Sequence, residues 1–188
     1  MTAASPSTEA HWLQRLALLE ARLQQHDDAT AIRHCVTRYM ALCDRLDAHT
    51  PLDELLDCFT EDAVWAGKGA RYGQGFGSHQ GRAAIGSMFR GYMGTPAHFA
   101  LNVHFLTSEQ ISPVGDGLAE ASWVMLQTSS FASGASHLNA AQLRLGMRRD
   151  TDGAWRIARF ETENLFSRPV SHWQSTAALP VPASHAAA

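Results

Sequence analysis

Between Pro96 and Ile111 the chain reads PAHFALNVHFLTSEQI, with two imidazoles and an amide, His98, Asn102 and His104, at even spacing. Side chains on a β-strand alternate between faces. Read as one strand, the stretch puts His98, Ala100, Asn102, His104 and Leu106 on one face and Phe99, Leu101, Val103, Phe105 and Thr107 on the other. The second set is an ordinary core face. The first places proton-carrying and ligand-orienting groups among small and apolar neighbours, where a solvent face would carry Lys, Glu or Thr. It reads as the wall of a pocket; the competing reading is a strand whose polar side meets water. Imidazole moves protons near neutral pH, and a carboxylate beside it fixes its tautomer and stabilises the imidazolium. Metal ligation is the rival use. His98 and His104 lie roughly 20 Å apart by strand rise and cannot share an ion, so no metal site is expected. Ten histidines make any single one a weak signal. His11, His26, His137, His172 and His185 read as surface or tail, His34 and His49 as helix surface or loop, and His79 as a loop residue within reach of a cavity.

Positioning that strand requires a sheet, and the sheet requires a cover. Thr8 to about His26 repeats Trp12, Leu13, Leu16, Leu19 and Leu23 at spacings of three and four, which predicts a helix packed on the body or on a second subunit. Asp27 or Asp28 is placed to cap a second helix running to about Asp47, with Ile32, Cys35, Val36, Tyr39, Leu42, Cys43 and Leu46 on one stripe. Thr50-Pro51-Leu52-Asp53 resembles a capping box opening a short helix that ends near Phe59. Asp62 to Ala66 reads as a first strand. Gly67 to Gly81 contains six glycines in no phosphate-loop spacing and reads as a flexible loop around a short strand at Arg71-Tyr72. Arg82 to Met93 reads as a further helix. Strands are then predicted over residues 98–111, 118–131, 139–149 and 154–166, joined in part by the turns Val114-Gly115-Asp116-Gly117 and Asp150-Thr151-Asp152-Gly153. Helices first and long antiparallel strands after is an α+β pattern, in which a curved sheet wrapped over three to four helices leaves a cavity between them.

The totals limit what such a cavity serves. The 188 residues suit one domain with a real core, here residues 27–170, after an extension over 1–26 and before a flexible tail over 171–188. Met1–Ser7 and the segment from Ser175 read as disordered. The net charge of -3 and the lack of a basic block argue against a nucleic-acid partner. No secretion signal or membrane-spanning stretch is evident, and the three cysteines, Cys35, Cys43 and Cys58, read as buried hydrophobes in a reducing compartment. A cytoplasmic protein is expected.

Taken in order, LEARLQQHDDATAIRHCVTRYMALCDRLD, LLDCFTEDAVW, the H-F-A-L-N run and the final GAWRIARF resemble the SnoaL-like branch of the nuclear-transport-factor-2-like (NTF2-like) superfamily, in the manner of scytalone and bile acid dehydratases. The resemblance covers about residues 19 to 167. It implies a cone-shaped fold with a deep pocket, homodimers or homotrimers, and chemistry without a cofactor on small hydrophobic molecules. The family's dehydratase pattern pairs an Asp late in the long helix with a His on the strand after the fourth helix. On this chain those are Asp44 and His98, with Tyr39 lining the same pocket and Asn102 at the Asn of HxxxN. The helical wheel points elsewhere. Asp44 lies about 140° from Tyr39, which centres the apolar stripe, and Asp47 lies nearer it. Either carboxylate remains a candidate.

The residues and the resemblance together predict a lyase of dehydratase type, or an isomerase, acting on a small cyclic or aromatic substrate. His98 is the expected base, Asp44 its partner and Tyr39 a hydrogen-bond donor. Asn102, Trp65, His104, Trp123 and Phe89 are the expected substrate-binding residues. A retro-aldol cleavage would use the same base. An epoxide hydrolase would instead need an Asp-Arg-Asp clamp, for which Arg144, Arg156 and Arg159 are available. The non-catalytic alternative is a ligand-binding or oligomerisation module such as an oxygenase small subunit.

Overall fold

No glycine or proline interrupts the chain from Ser7 to Thr50. In the computed structural model, which describes residues 6–115 and 117–171, that stretch holds one continuous helix, α1 (Pro6–Asp44). The two helices expected either side of Asp27-Asp28 are one. Asp28 caps nothing because its carboxylate is used across the fold: Trp155 Nε1–H donates to it at 3.1 Å, and Arg149 pairs with it. The C-terminal part of α1 is the core helix, with Ile32, Val36, Tyr39, Met40 and Cys43 buried. The N-terminal part, from Glu9 to Asp27, is exposed along its whole length. The disorder expected over Met1–Ser7 lies outside the described residues except at Pro6 and Ser7, which are helical; the tail expected from Ser175 lies wholly outside them.

After α1 come α2 (Leu52–Asp57), β1 (Phe59–Lys68), α3 (Gly69–Phe76), β2 (Ser78–Gln80) and α4 (Gly81–Arg90). The capping box at Thr50 does not form. Pro51 occupies the cap position of α2 without a side-chain bond, and the Thr50 hydroxyl instead donates to Arg45 O and accepts from Asp47 N–H. The glycine-rich stretch is also not a loop around residues 71–72: those residues lie in α3, and the short strand is β2. Two of its glycines meet specific needs, one of close approach and one of backbone conformation. A Cβ on Gly67 would stand 2.1 Å from the carbonyl oxygen of Tyr72, and Gly77 ends α3 at φ +65°.

The rest is β3 (Phe99–Gly115), β4 (Leu118–Phe131), β5 (Ser136–Arg149) and β6 (Trp155–Val170). These pair as consecutive antiparallel neighbours, as the alternation predicts. The sheet order is β2-β1-β6-β5-β4-β3, with β1 added parallel to β6. Register shifts in the β3–β4, β5–β6 and β1–β6 pairings mark bulges, which bend strands and increase local twist. One face of the sheet covers α1, with Trp123, Leu143, Leu145, Met147 and Ile157 among the buried residues. The other face of β3 is not core: Leu101 and Phe105 are exposed.

Candidate active site

A cavity of about 130 Å³ lies between the end of α1, helices α3 and α4, and the sheet. Its walls are mostly aromatic and apolar, including Tyr39, Trp65, Phe89, Phe99, Met125 and Phe160, with Asn102, His104, Gln127 and Thr162 as polar interruptions.

Asp44, the last residue of α1, reaches β3. Its Oδ1 accepts from the backbone N–H of His104 at 2.9 Å and lies 2.6 Å from the ring Nδ1 of the same residue. Two donors on one carboxylate oxygen hold the ring as the Nδ1–H tautomer and leave Nε2 with its lone pair. The His104 side chain is only 10% exposed. The Asp–His pair of the structure is therefore Asp44–His104, six residues from the expected Asp44–His98.

The register shift at the start of β3 explains the difference. Phe99 pairs with Phe131 but Leu101 pairs with the adjacent Ser130, so Ala100 is an extra residue in β3. A one-residue insertion inverts the faces of everything before it. Asn102 and His104 keep the inward face, Phe99 joins them in lining the cavity, and His98 turns out. His98 is exposed and packs edge-on against Tyr92, Phe99 and Phe131, with ring centroids 5.3, 4.6 and 5.3 Å away.

Asn102 is buried and committed to structure. Its Nδ2–H donates to Cys43 O at 3.0 Å, and its Oδ1 accepts from Gln127 Nε2 and Ser129 Oγ, both at 2.8 Å. It ties the last turn of α1 to β3 and β4, directly beside the Asp44–His104 pair. Gln127 and Ser129 were not legible as site residues. They enter through the β3–β4 register, in which Gln127 stands opposite His104 and Ser129 opposite Asn102.

Tyr39 is buried among Phe59, Phe89 and Phe160, all edge-on. Trp65 Nε1–H donates to its hydroxyl oxygen at 3.0 Å. Burial pushes the Tyr39 phenol well above its usual pKa, so the group stays protonated and its O–H remains a donor. Burial likewise raises the neighbouring Cys43 thiol, which stays neutral.

Of the three aromatics expected to bind substrate, Trp65 and Phe89 line the cavity and Trp123 does not. It is a core residue under a separate groove with Arg33 and Glu109. Asp47, the wheel's candidate, closes the turn after α1 by accepting from His49 N–H at 2.7 Å. His79 sits behind the wall, beside Trp65 and 2.9 Å from Phe76 O. The three arginines considered for a water clamp are paired elsewhere: Arg144 with Glu163, Arg159 with Glu120 and Glu161, and Arg156 with Asp57, Asp150 and Asp152. None lines the cavity.

No curated protein sequence matches the chain. Among solved structures it is similar to an NTF2-like protein with a cystatin-like fold from Novosphingobium aromaticivorans, at 28% identity over 80% of this chain and 90% of that one, with a TM-score of 0.60. Two further structures from the same organism share the fold. One is a candidate aromatic ring hydroxylase (22% identity, 77% and 94% covered, TM-score 0.64), the other a candidate scytalone dehydratase (19%, 82% and 90%, TM-score 0.61). The model of the SnoaL-like domain matches residues 24–161, a span that takes in both members of the Asp44–His104 pair and all of the cavity lining but Thr162, and the chain belongs to that family.

Proposed function

We propose that the protein is a cofactor-independent lyase or isomerase that removes a carbon-bound proton from a small, ring-sized hydrophobic substrate, with His104 as base. The observation that carries this reading is the pairing of Asp44 with the Nδ1 side of His104 at the wall of an apolar cavity. It leaves Nε2 as the basic atom and gives the imidazolium a carboxylate partner once the proton is taken. The cavity is close in size to the ~150 Å³ engineered cavity that takes benzene, which favours a substrate presenting one ring at a time.

For dehydration of a β-hydroxy carbonyl compound the steps balance within these residues. Nε2 takes the proton α to the carbonyl, and the C–H electrons pass into an enolate. Tyr39 O–H donates a hydrogen bond to the developing oxyanion. Its raised pKa makes it a poor proton source, so the leaving hydroxide takes the proton from the imidazolium Nε2–H and departs as water. Return of that proton to a different carbon would instead give an isomerase. Asp44 is a positioning residue, and Asn102 holds the helix end that carries it. The candidate scytalone dehydratase among the structural relatives agrees with dehydration as the lead reaction.

The test is deuterium exchange, followed by proton NMR in D2O, at the α-carbon of a panel of small cyclic ketones and hydroxyketones. His104→Ala should lose on the order of 10²–10⁴ in rate, and His98→Ala should stay within a few-fold of wild type. Equal losses in both variants, or exchange that survives in His104→Ala, would refute the assignment.

A further inference from the structure

The N-terminal part of α1 leaves six large apolar side chains in water: Trp12, Leu13, Leu16, Leu18, Leu19 and Leu23, each at least half exposed. The helix cannot fold them back on its own body. It is continuous to Asp44, and Asp28 fixes it to β5 and β6 through Arg149 and Trp155. Trp12, Leu16, Leu19, Leu23 and His26 follow one another at spacings of four, three, four and three. That is the a/d seam of a coiled coil, with Leu16 and Leu23 at a and Trp12, Leu19 and His26 at d. Glu9, at the preceding a position, ends it.

The charges beside the seam select the partner. In this frame Arg15 and Arg22 fall at g, Glu20 and Asp27 at e. Among the described residues none of the four has an ion pair within its own chain. In a parallel pair of helices, g of one chain faces e of the next heptad on the other, five residues on. Arg15 then meets Glu20 of a second copy, and Arg22 meets its Asp27, each pair occurring twice by symmetry. An antiparallel pair sets g opposite g and places Arg against Arg.

We propose that residues 12–26 are an interaction surface for a second copy of this chain, forming a parallel, in-register two-stranded coiled coil. The domain holds the far end of each helix folded, so the partner need not nucleate it. Leu18, at position c, lies off the seam.

Cysteine cross-linking of the full chain distinguishes the arrangement. The three native cysteines are buried, so an introduced one reports its own position. Under mild oxidation Leu19→Cys should form a covalent dimer, because parallel register brings d to d, whereas Leu18→Cys should not. The double reversal Arg15→Glu, Arg22→Glu should raise the dissociation constant of the helix-mediated dimer on the order of 10–100-fold. Mixing with the Glu20→Arg, Asp27→Arg chain should restore cross-linking as a heterodimer. Equal cross-linking at positions 18 and 19, none at either, or no rescue on mixing would overturn the proposal; a helix seated on another copy's sheet gives the second of these results.

Discussion

Replacing Asp44 perturbs the site with the least change in volume. Its Oδ1 receives two donors from His104, at 2.9 and 2.6 Å. A hydrogen bond to a charged group contributes about 1.5–3 kcal/mol. The two here share one oxygen, and the Asp44 side chain is 26% exposed, so water replaces part of what Asp44→Ala removes. The expected loss is therefore about 2 kcal/mol, nearer one such bond than two. In a protein of this size that lowers Tm by about 4–8 °C. Asp44→Asn keeps an oxygen for the backbone N–H and loses the charge, so about 1 kcal/mol is expected. Stability alone would not identify a site, but the ring does. Nitrogen-15 NMR of His104 should show the Nδ1–H tautomer in the wild type and growth of the Nε2–H tautomer in Asp44→Ala, where nothing holds Nδ1. Proton-exchange activity should fall with it, while Asp47→Ala leaves the ring spectrum unchanged. A wild-type tautomer ratio and melting temperature in Asp44→Ala would mean that the pair does not exist in solution, and the proposed chemistry would lose its base.

Asn102→Leu should cost about 2–4 kcal/mol by thermal melting, because it strands Cys43 O, Gln127 Nε2 and Ser129 Oγ together. Tyr39→Phe should slow exchange less than His104→Ala, since it removes one hydrogen bond and keeps the ring. It should also soften alkaline unfolding. The folded state holds the Tyr39 phenol above its unfolded pKa, so its stabilising effect is complete below about pH 10 and is lost as pH rises beyond that. At the acid end, a hydrogen bond from Arg148 holds the Asp62 carboxyl down to about 2. That contribution is present above the unfolded value near 3.9 and is lost as pH falls through about 2. Carbon-13 titration of Asp62 in Arg148→Gln should move back toward the unfolded value. Gly67→Ala should destabilise the β1–α3 junction by about 1–3 kcal/mol, read as a lower melting temperature, because the new Cβ meets backbone at 2.1 Å.

Periodicity carried the large features of the fold. Apolar alternation and two turns are local signals, and they located four strands to within a few residues. Helical spacing marked Tyr39 and Phe89 as inward in the same way. The misplaced features have nonlocal causes. Asp27-Asp28 has the chemistry of a helix cap, but whether a carboxylate caps or reaches across depends on Arg149 and Trp155, more than a hundred residues away. Trp123 has the character of a pocket aromatic and shares the inner face of β4 with Met125, yet it lies further along the strand, under a different groove. Gln127 and Ser129 carry no sequence signal at all, because their contribution is fixed by which residue of β3 stands opposite them.

The histidine assignment turned on the same dependence. Strict alternation makes His98, Asn102 and His104 equivalent, and a family spacing then chooses His98. One extra residue at Ala100 breaks the equivalence, since everything before it changes face while Asn102 and His104 do not. The bulge lies at the end of an edge strand, where such insertions are common and re-aim side chains beside sites. The carboxylate then selects between the histidines by reach. Asp44 ends α1, and the turn of α1 that carries it is bound at Cys43 O to Asn102. A helix end anchored at Asn102 presents its next residue to the strand position two further along, and that position is His104. The same anchor makes Asn102 the residue whose loss should disable the pair without touching either member: Asn102→Ala should release the His104 tautomer as Asp44→Ala does. If Asn102→Ala melted early but kept the Nδ1–H ring, Asp44 would be positioned by the rest of α1 rather than by that bond.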